Sequence, residues 1–161
     1  MKKQLCVSTM LLLATGCASI SVESPQSRDF ERSRTYNMSF EKTWTRAVDW
    51  YADHNVTIEK IQKESGLLTA KYMLEADNQY LDCGNIKAQG VLGGPVISRA
   101  GSLNLTVRRA GDDANRVNVN FFGEFDLQAR DAWDGRRVDY EGRCVSTGRL
   151  EQEILDYIEN H

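Results

Sequence analysis

Few side chains in this sequence are of types that carry chemistry, and they are scattered. There are two histidines, His54 and His161, and four cysteines, Cys6, Cys17, Cys83 and Cys144. A histidine base would serve acid–base catalysis, but His54 falls at the end of a helical pattern and His161 is the last residue. Surface histidines are the simpler reading. Glu75, Asp77 and Asp82 are acids of the type that hold calcium, yet their spacing matches no EF-hand loop. Glu124, Asp126, Asp131 and Asp134 offer carboxylates for a glycosidase-type pair, but charges are expected on the wet face of a strand. No G-x-S-x-G or H-E-x-x-H motif occurs. GVLGG at 90–94 lacks the following Lys-Ser or Lys-Thr and the helix of a phosphate loop. The expectation is a protein that is not an enzyme and holds no metal or cofactor.

The stretch with the clearest functional signal places Val91, Leu92, Val96 and Ile97 among glycines and Pro95. Aliphatic side chains in a mobile loop stay exposed unless something covers them, and exposed apolar patches mark partner surfaces. The competing reading is a buried edge strand that closes a sheet. Trp50, Trp133 and Phe122 are secondary candidates for the same surface.

The chain opens with Lys2 and Lys3, then an apolar stretch from Leu5 to Ala14. That stretch is too short for a bilayer span, which needs about 20 residues. A basic start, a short apolar core and small residues before a break make a secretory signal. The break, Ala14-Thr15-Gly16-Cys17, resembles the bacterial lipobox, with Ala14 in place of the more usual leucine. The resemblance implies cleavage before Cys17, lipid on its sulfur and acylation of the new amine. Several acyl chains on one residue give a firm anchor. Ala18, rather than Asp, follows Cys17, which by the same resemblance implies the outer membrane, with the domain facing the periplasm.

Removing residues 1–16 leaves about 145 residues, one domain's worth, enough for one real core. The full chain carries 20 basic and 23 acidic side chains, a net charge of −3, and loss of Lys2 and Lys3 makes the remainder more acidic. No basic stripe emerges, so nucleic acid is not an expected partner. Cys6 leaves with the signal. Cys83 and Cys144 remain as a pair in an exported chain, where a disulfide is the default. A metal site would need partners beyond His54 and His161, and a catalytic thiol would need a nearby base.

The elements follow from periodicity. Residues 17–33 are polar and show no period, which predicts a flexible tether from Cys17, stretching to roughly 50 Å at about 3.3 Å per residue. A single domain is expected over 34–161. It opens with a short strand at 34–38. Ser39 caps a helix whose face carries Phe40, Trp44, Ala47, Val48 and Tyr51, with Trp50 off its centre and partly exposed. Asn55 tolerates the left-handed end. A hairpin covers 56–74, and 75–101 reads as a polar stretch and then a glycine-rich segment that is a loop or a bulged edge strand. Strands follow at 103–108 and 117–127, the latter with Val117, Val119, Phe121, Phe125 and Leu127 on one face. Asp134-Gly135 makes a turn, and Val138 and Tyr140 carry a last strand. Ser146 or Thr147 caps a final helix with Leu150, Ile154, Tyr157 and Ile158 inward. The expected fold is α+β: an antiparallel sheet of about five to six strands, in order β-α-β-β-β-β-β-α, with two helices on one face.

The opening strand, Ser39-Phe40-x-x-x-Trp44-x-x-Ala47, Val56-x-Ile58 and Gly66-Leu67-Leu68-Thr69 resemble the helix-grip domains of BamC-like envelope lipoproteins, accessory factors of outer-membrane β-barrel assembly. The resemblance covers residues 34–74 and implies a non-catalytic accessory or scaffold module that binds another envelope protein. An alternative is an inhibitor or immunity protein against a secreted toxin or cell-wall hydrolase, since a small acidic domain suits a basic target. Another is a carrier of a small apolar ligand, with Trp44, Tyr51, Phe121 and Phe125 lining a cavity.

Overall fold

The computed structural model describes residues 18–74 and 79–161. In chain order the elements are β1 (Ser19–Glu23), β2 (Ser33–Tyr36), α1 (Phe40–Asp53), β3 (Ile58–Gln62) and β4 (Leu67–Leu74). They continue with β5 (Leu81–Asp82), β6 (Asn85–Gln89), β7 (Val96–Arg109), β8 (Asn115–Arg130), β9 (Arg137–Ser146) and α2 (Arg149–Asn160). The fold is α+β, as expected. Seven strands form one antiparallel sheet in the order β3-β4-β7-β8-β9-β5, with β2 also on β8, and β1 and β6 form a second, two-stranded sheet.

The β7–β8 hairpin is the spine. Its register pairs Leu103 with Phe121, Leu105 with Val119 and Val107 with Val117, all on the inner face. Asn104–Asn120 and Thr106–Asn118 alternate on the outer face, because successive side chains in a strand point to opposite sides. The hairpin is longer than the alternation from Leu103 indicates: β7 begins at Val96 and runs through Gly101, which interrupts the apolar pattern without interrupting the ladder.

Helix α1 starts as its sequence dictates. The Ser39 hydroxyl accepts from the Lys42 N–H at 3.3 Å, and Asn55 adopts φ 53° just past the end. Trp50 departs from expectation. It is 1% exposed, not partly exposed, and is therefore no surface candidate. Helix α1 packs against α2 as well as the sheet, and its buried arc takes in Thr43, which faces Asn115 of β8, and Trp50. There the Trp50 ring stacks on His54, with centroids 4.5 Å apart, and meets Tyr51 edge-on.

Helix α2 starts differently from expectation. Neither Ser146 nor Thr147 is the N-cap: Gly148 occupies it at φ 88° with no side-chain cap. A Cβ there would stand 2.5 Å from the Phe30 ring, so both the dihedral and the packing require glycine. Ser146 instead accepts from the Gly148 N–H at 3.0 Å and donates to Glu151 at 2.7 Å. Glu151 is fully buried. It lies where β9, paired from Phe122, gives way to β2, paired up to Asn118. In that gap the Val119 N–H donates to the Arg32 carbonyl at 2.8 Å, and the Phe121 N–H donates to the Glu151 carboxylate at 3.2 Å. Burial holds the Glu151 carboxyl above its usual range.

The segment read as a flexible tether contains β1, which pairs along its length with β6. Ile20 and Val22 alternate with Ser19, Ser21 and Glu23, and the two aliphatics pack against the main core. A five-residue alternation is a weak signal by itself; its partner, β6, lies in the polar and glycine-rich segment that reads as a loop or a bulged edge strand. Phe125, Leu127 and Ala129 carry the inner face on beyond the helices' end of β8 and are buried too. Cys83 and Cys144 form a disulfide, with sulfurs 1.98 Å apart across 61 residues of sequence. It ties the β5–β6 connection to β9.

Candidate functional site

Two loops meet at one end of β8. The first, 90–95, links β6 to β7; the second, 131–136, links β8 to β9. They are laced together by backbone bonds: Leu92 N–H to the Arg130 carbonyl and Ala132 N–H to the Gly90 carbonyl, both at 2.8 Å, with a bridge between Val91 and Asp131. Gly93 and Gly94 have φ 71° and 81° with nothing within 4 Å of a built Cβ, so glycine is needed there for its dihedral rather than for space.

This end gathers most of the residues that the sequence singles out. Leu92 is 63%, Val96 69% and Trp133 87% exposed. Leu92 and Val96 border a cleft with Gln128, Arg130 and Arg137. Val91 and Ile97 are half-buried and pack against the core instead. Trp50 lies elsewhere, buried on α1. The segment is thus neither a free loop nor a buried edge strand: its backbone is tied to the neighbouring loop while Leu92 and Val96 face out.

Asp131 organises the end. Its carboxylate accepts from the Ala18 N–H at 3.0 Å and the Trp133 N–H at 2.7 Å. These backbone donors, Ala18 first, hold its carboxyl below the usual range. Asp134 pairs with Arg136, and Arg137 with Asp139 at 2.7 Å. Asp131 and Asp134 are thus engaged in turn and ion-pair bonding.

A second surface is the outer face of the large sheet. Among the described residues, no helix or strand covers it: both helices and the β1–β6 pair bring their apolar side chains to the inner core. Phe122 stands on this bare face, 51% exposed, opposite Ser102 and Val145 and beside Glu124 and Arg143. The sequence does carry the sign. Phe121-Phe122 are adjacent in an alternating strand, so one of the two must face outward.

The candidates for a ligand cavity, Trp44, Tyr51, Phe121 and Phe125, are all buried members of the core. The Tyr51 hydroxyl is buried with no hydrogen-bond partner among the described residues, and burial pushes its pKa up. The histidines do not converge on a site. His54 bonds the Trp50 carbonyl at 2.8 Å, and His161 stacks on Tyr157. Asp82 caps its own turn by accepting from the Gly84 N–H; Glu75 and Asp77 lie outside the described residues, as do Cys17 and the pattern before it. Among the described residues no group of three or more His, Cys, Asp and Glu side chains is placed to hold a metal. No protein-family model matches the chain, and no curated protein is significantly similar to it.

Proposed function

We propose that this chain is a lipid-anchored, non-catalytic accessory module of the outer membrane, facing the periplasm, that binds another envelope protein. The observation that carries the reading is the bare outer face of the seven-stranded sheet, with Phe122 half exposed upon it. A large aromatic on an uncovered face is the kind of anchor that protein interfaces bury. The signal-like start, the lipobox pattern at Cys17 and the Cys83–Cys144 bond, typical of an oxidising compartment, support the address.

The test is a photoreactive amino acid placed at Phe122 in intact cells, with Gln152 on the exposed side of α2 as the control position. A discrete adduct with an envelope protein from position 122, absent from 152, is the expected result. No adduct at 122 overturns the reading. One secreted toxin or cell-wall hydrolase in the adduct replaces it with the inhibitor reading.

A further inference from the structure

We infer that the end formed by loops 90–95 and 131–136 is a membrane-contact surface, whose occupant is a phospholipid bilayer. The inference rests on lipidation of Cys17. Cys17 is bonded directly to Ala18 in the sequence. Ala18 is not free to wander: its N–H is held by Asp131, and the same carboxylate holds the Trp133 N–H. One side chain therefore fixes both the neighbour of the anchor and the loop that carries Trp133. From Ser19 onward the chain is paired with β6, which removes the slack a tether would supply. Acyl chains on Cys17 must enter a bilayer close beside this end.

The side chains that surround that point suit a bilayer interface. Leu92, Val96 and Trp133 are exposed, and Trp favours headgroup depth, where its ring is half apolar and its N–H still finds water. Arg130 and Arg137 line the cleft beside Leu92 and Val96, and Arg136 lies in the loop that carries Trp133, all within the class of side chain that meets lipid phosphates. The Arg136–Asp134 and Arg137–Asp139 pairs keep the end close to neutral, so the contact is apolar first. The opposite turn, at 110–114, is then carried away by the length of β8, about 50 Å at 3.3 Å per residue. The Phe122 face is left standing beside the membrane rather than against it.

Trp133 is itself the probe. The chain has three tryptophans; Trp44 and Trp50 are buried and Trp133 is exposed. The acylated mature protein is reconstituted in phosphatidylethanolamine–phosphatidylglycerol vesicles, with and without bromine on the acyl chains. Trp133 emission is expected to shift to the blue and to be quenched by the brominated lipid. Trp133→Phe should remove the quenched component. Leu92→Ser combined with Val96→Ser should weaken quenching without releasing the protein, since the acyl chains still hold it. If intact mass shows acyl groups on Cys17 while Trp133 stays open to aqueous acrylamide and untouched by brominated lipid, membrane contact is overturned and the anchor stands. Shielding of Trp133 by added envelope protein, but not by lipid, also overturns it. A chain with no acyl group on Cys17 sinks both readings.

Discussion

The two halves of the long sheet are held by different physics. Where β8 runs from Asn115 to Phe121, two amphipathic helices cover the inner face, and Trp44, Trp50, Leu105, Ile154 and Ile158 bury almost all of their surface. From Phe122 to Arg130 the cover is a two-stranded sheet with short aliphatic side chains, stapled by Cys83–Cys144 and pinned by Asp131. The first half is stabilised by burial, which is roughly proportional to apolar area. The second half buries Phe125, Leu127 and Ala129 as well, but a two-stranded ribbon is marginal by itself, so its β1–β6 cover leans on the covalent cross-link. Both candidate surfaces, Phe122 and the loop end, lie in that second half.

Removing the staple should produce the largest effect. The chain-entropy model gives roughly 4 kcal/mol for a loop of this length, so Cys83→Ser with Cys144→Ser should lower the thermal midpoint strongly. Hydrogen exchange sharpens the comparison: protection should fall first in β1 and β6 and persist at 103–107 and 117–121. Uniform loss would show that the halves open as one unit.

Leu105→Ala tests the helix-covered half. A fully buried leucine truncated to alanine costs about 3 kcal/mol, cavity included, and here protection should drop across both helices. Denaturant unfolding measures the loss. Gly148→Ala strikes the same half through the backbone. The positive φ and the Phe30 ring both oppose a methyl group, and about 2 kcal/mol is expected, with α2 loosened at its first turn.

Glu151→Gln probes the plug between β9 and β2. Burial raises the Glu151 carboxyl above its ordinary 4.5, so the folded state binds its proton more tightly than the unfolded state. Its contribution to stability is therefore full below pH 4.5 and is lost as pH rises through the folded-state value. The glutamine variant should show a flatter stability curve over that window. An unchanged slope would mean that the carboxylate's bonds to Phe121 and Ser146 offset its burial.

Asp131 gives the smallest effect, with the opposite sign. Its carboxyl is held below its ordinary 3.8, so its contribution is present above that value and is lost as pH falls through the folded one. Asp131→Ala should leave the global midpoint nearly unchanged while releasing Ala18 and Trp133. The amide resonances of those two residues are the measure. If they stay in place, the loop lacing alone holds this end.

The legible parts of the fold are those with long local patterns. Val117 to Leu127 alternate over many residues, and Ser39 with the stripe behind it announces α1. Pairings between short segments far apart in sequence are not legible. SISVE at 19–23 and NIKAQ at 85–89 are each too brief to stand out, and each becomes a strand only because the other supplies its hydrogen bonds. The burial of Trp50 is hidden for a related reason: a helical stripe marks one facing surface, and α1 has two. Among the candidate residues, Leu92, Val96 and Trp133 were readable as apolar side chains without an obvious home. Ile97 and Val91, of the same type, found one in the core.

Composition and periodicity determined the α+β class, the long hairpin, the first helix and the pairing of two cysteines, because each depends on local geometry or on residue type. Tertiary structure alone decided which face of the sheet is bare, which loops meet, and that residue 18 is tied to Asp131 across 113 positions of sequence. Those outcomes depend on contacts between distant segments. Their side chains carry no mark of which partner they will meet until the chain has closed on itself.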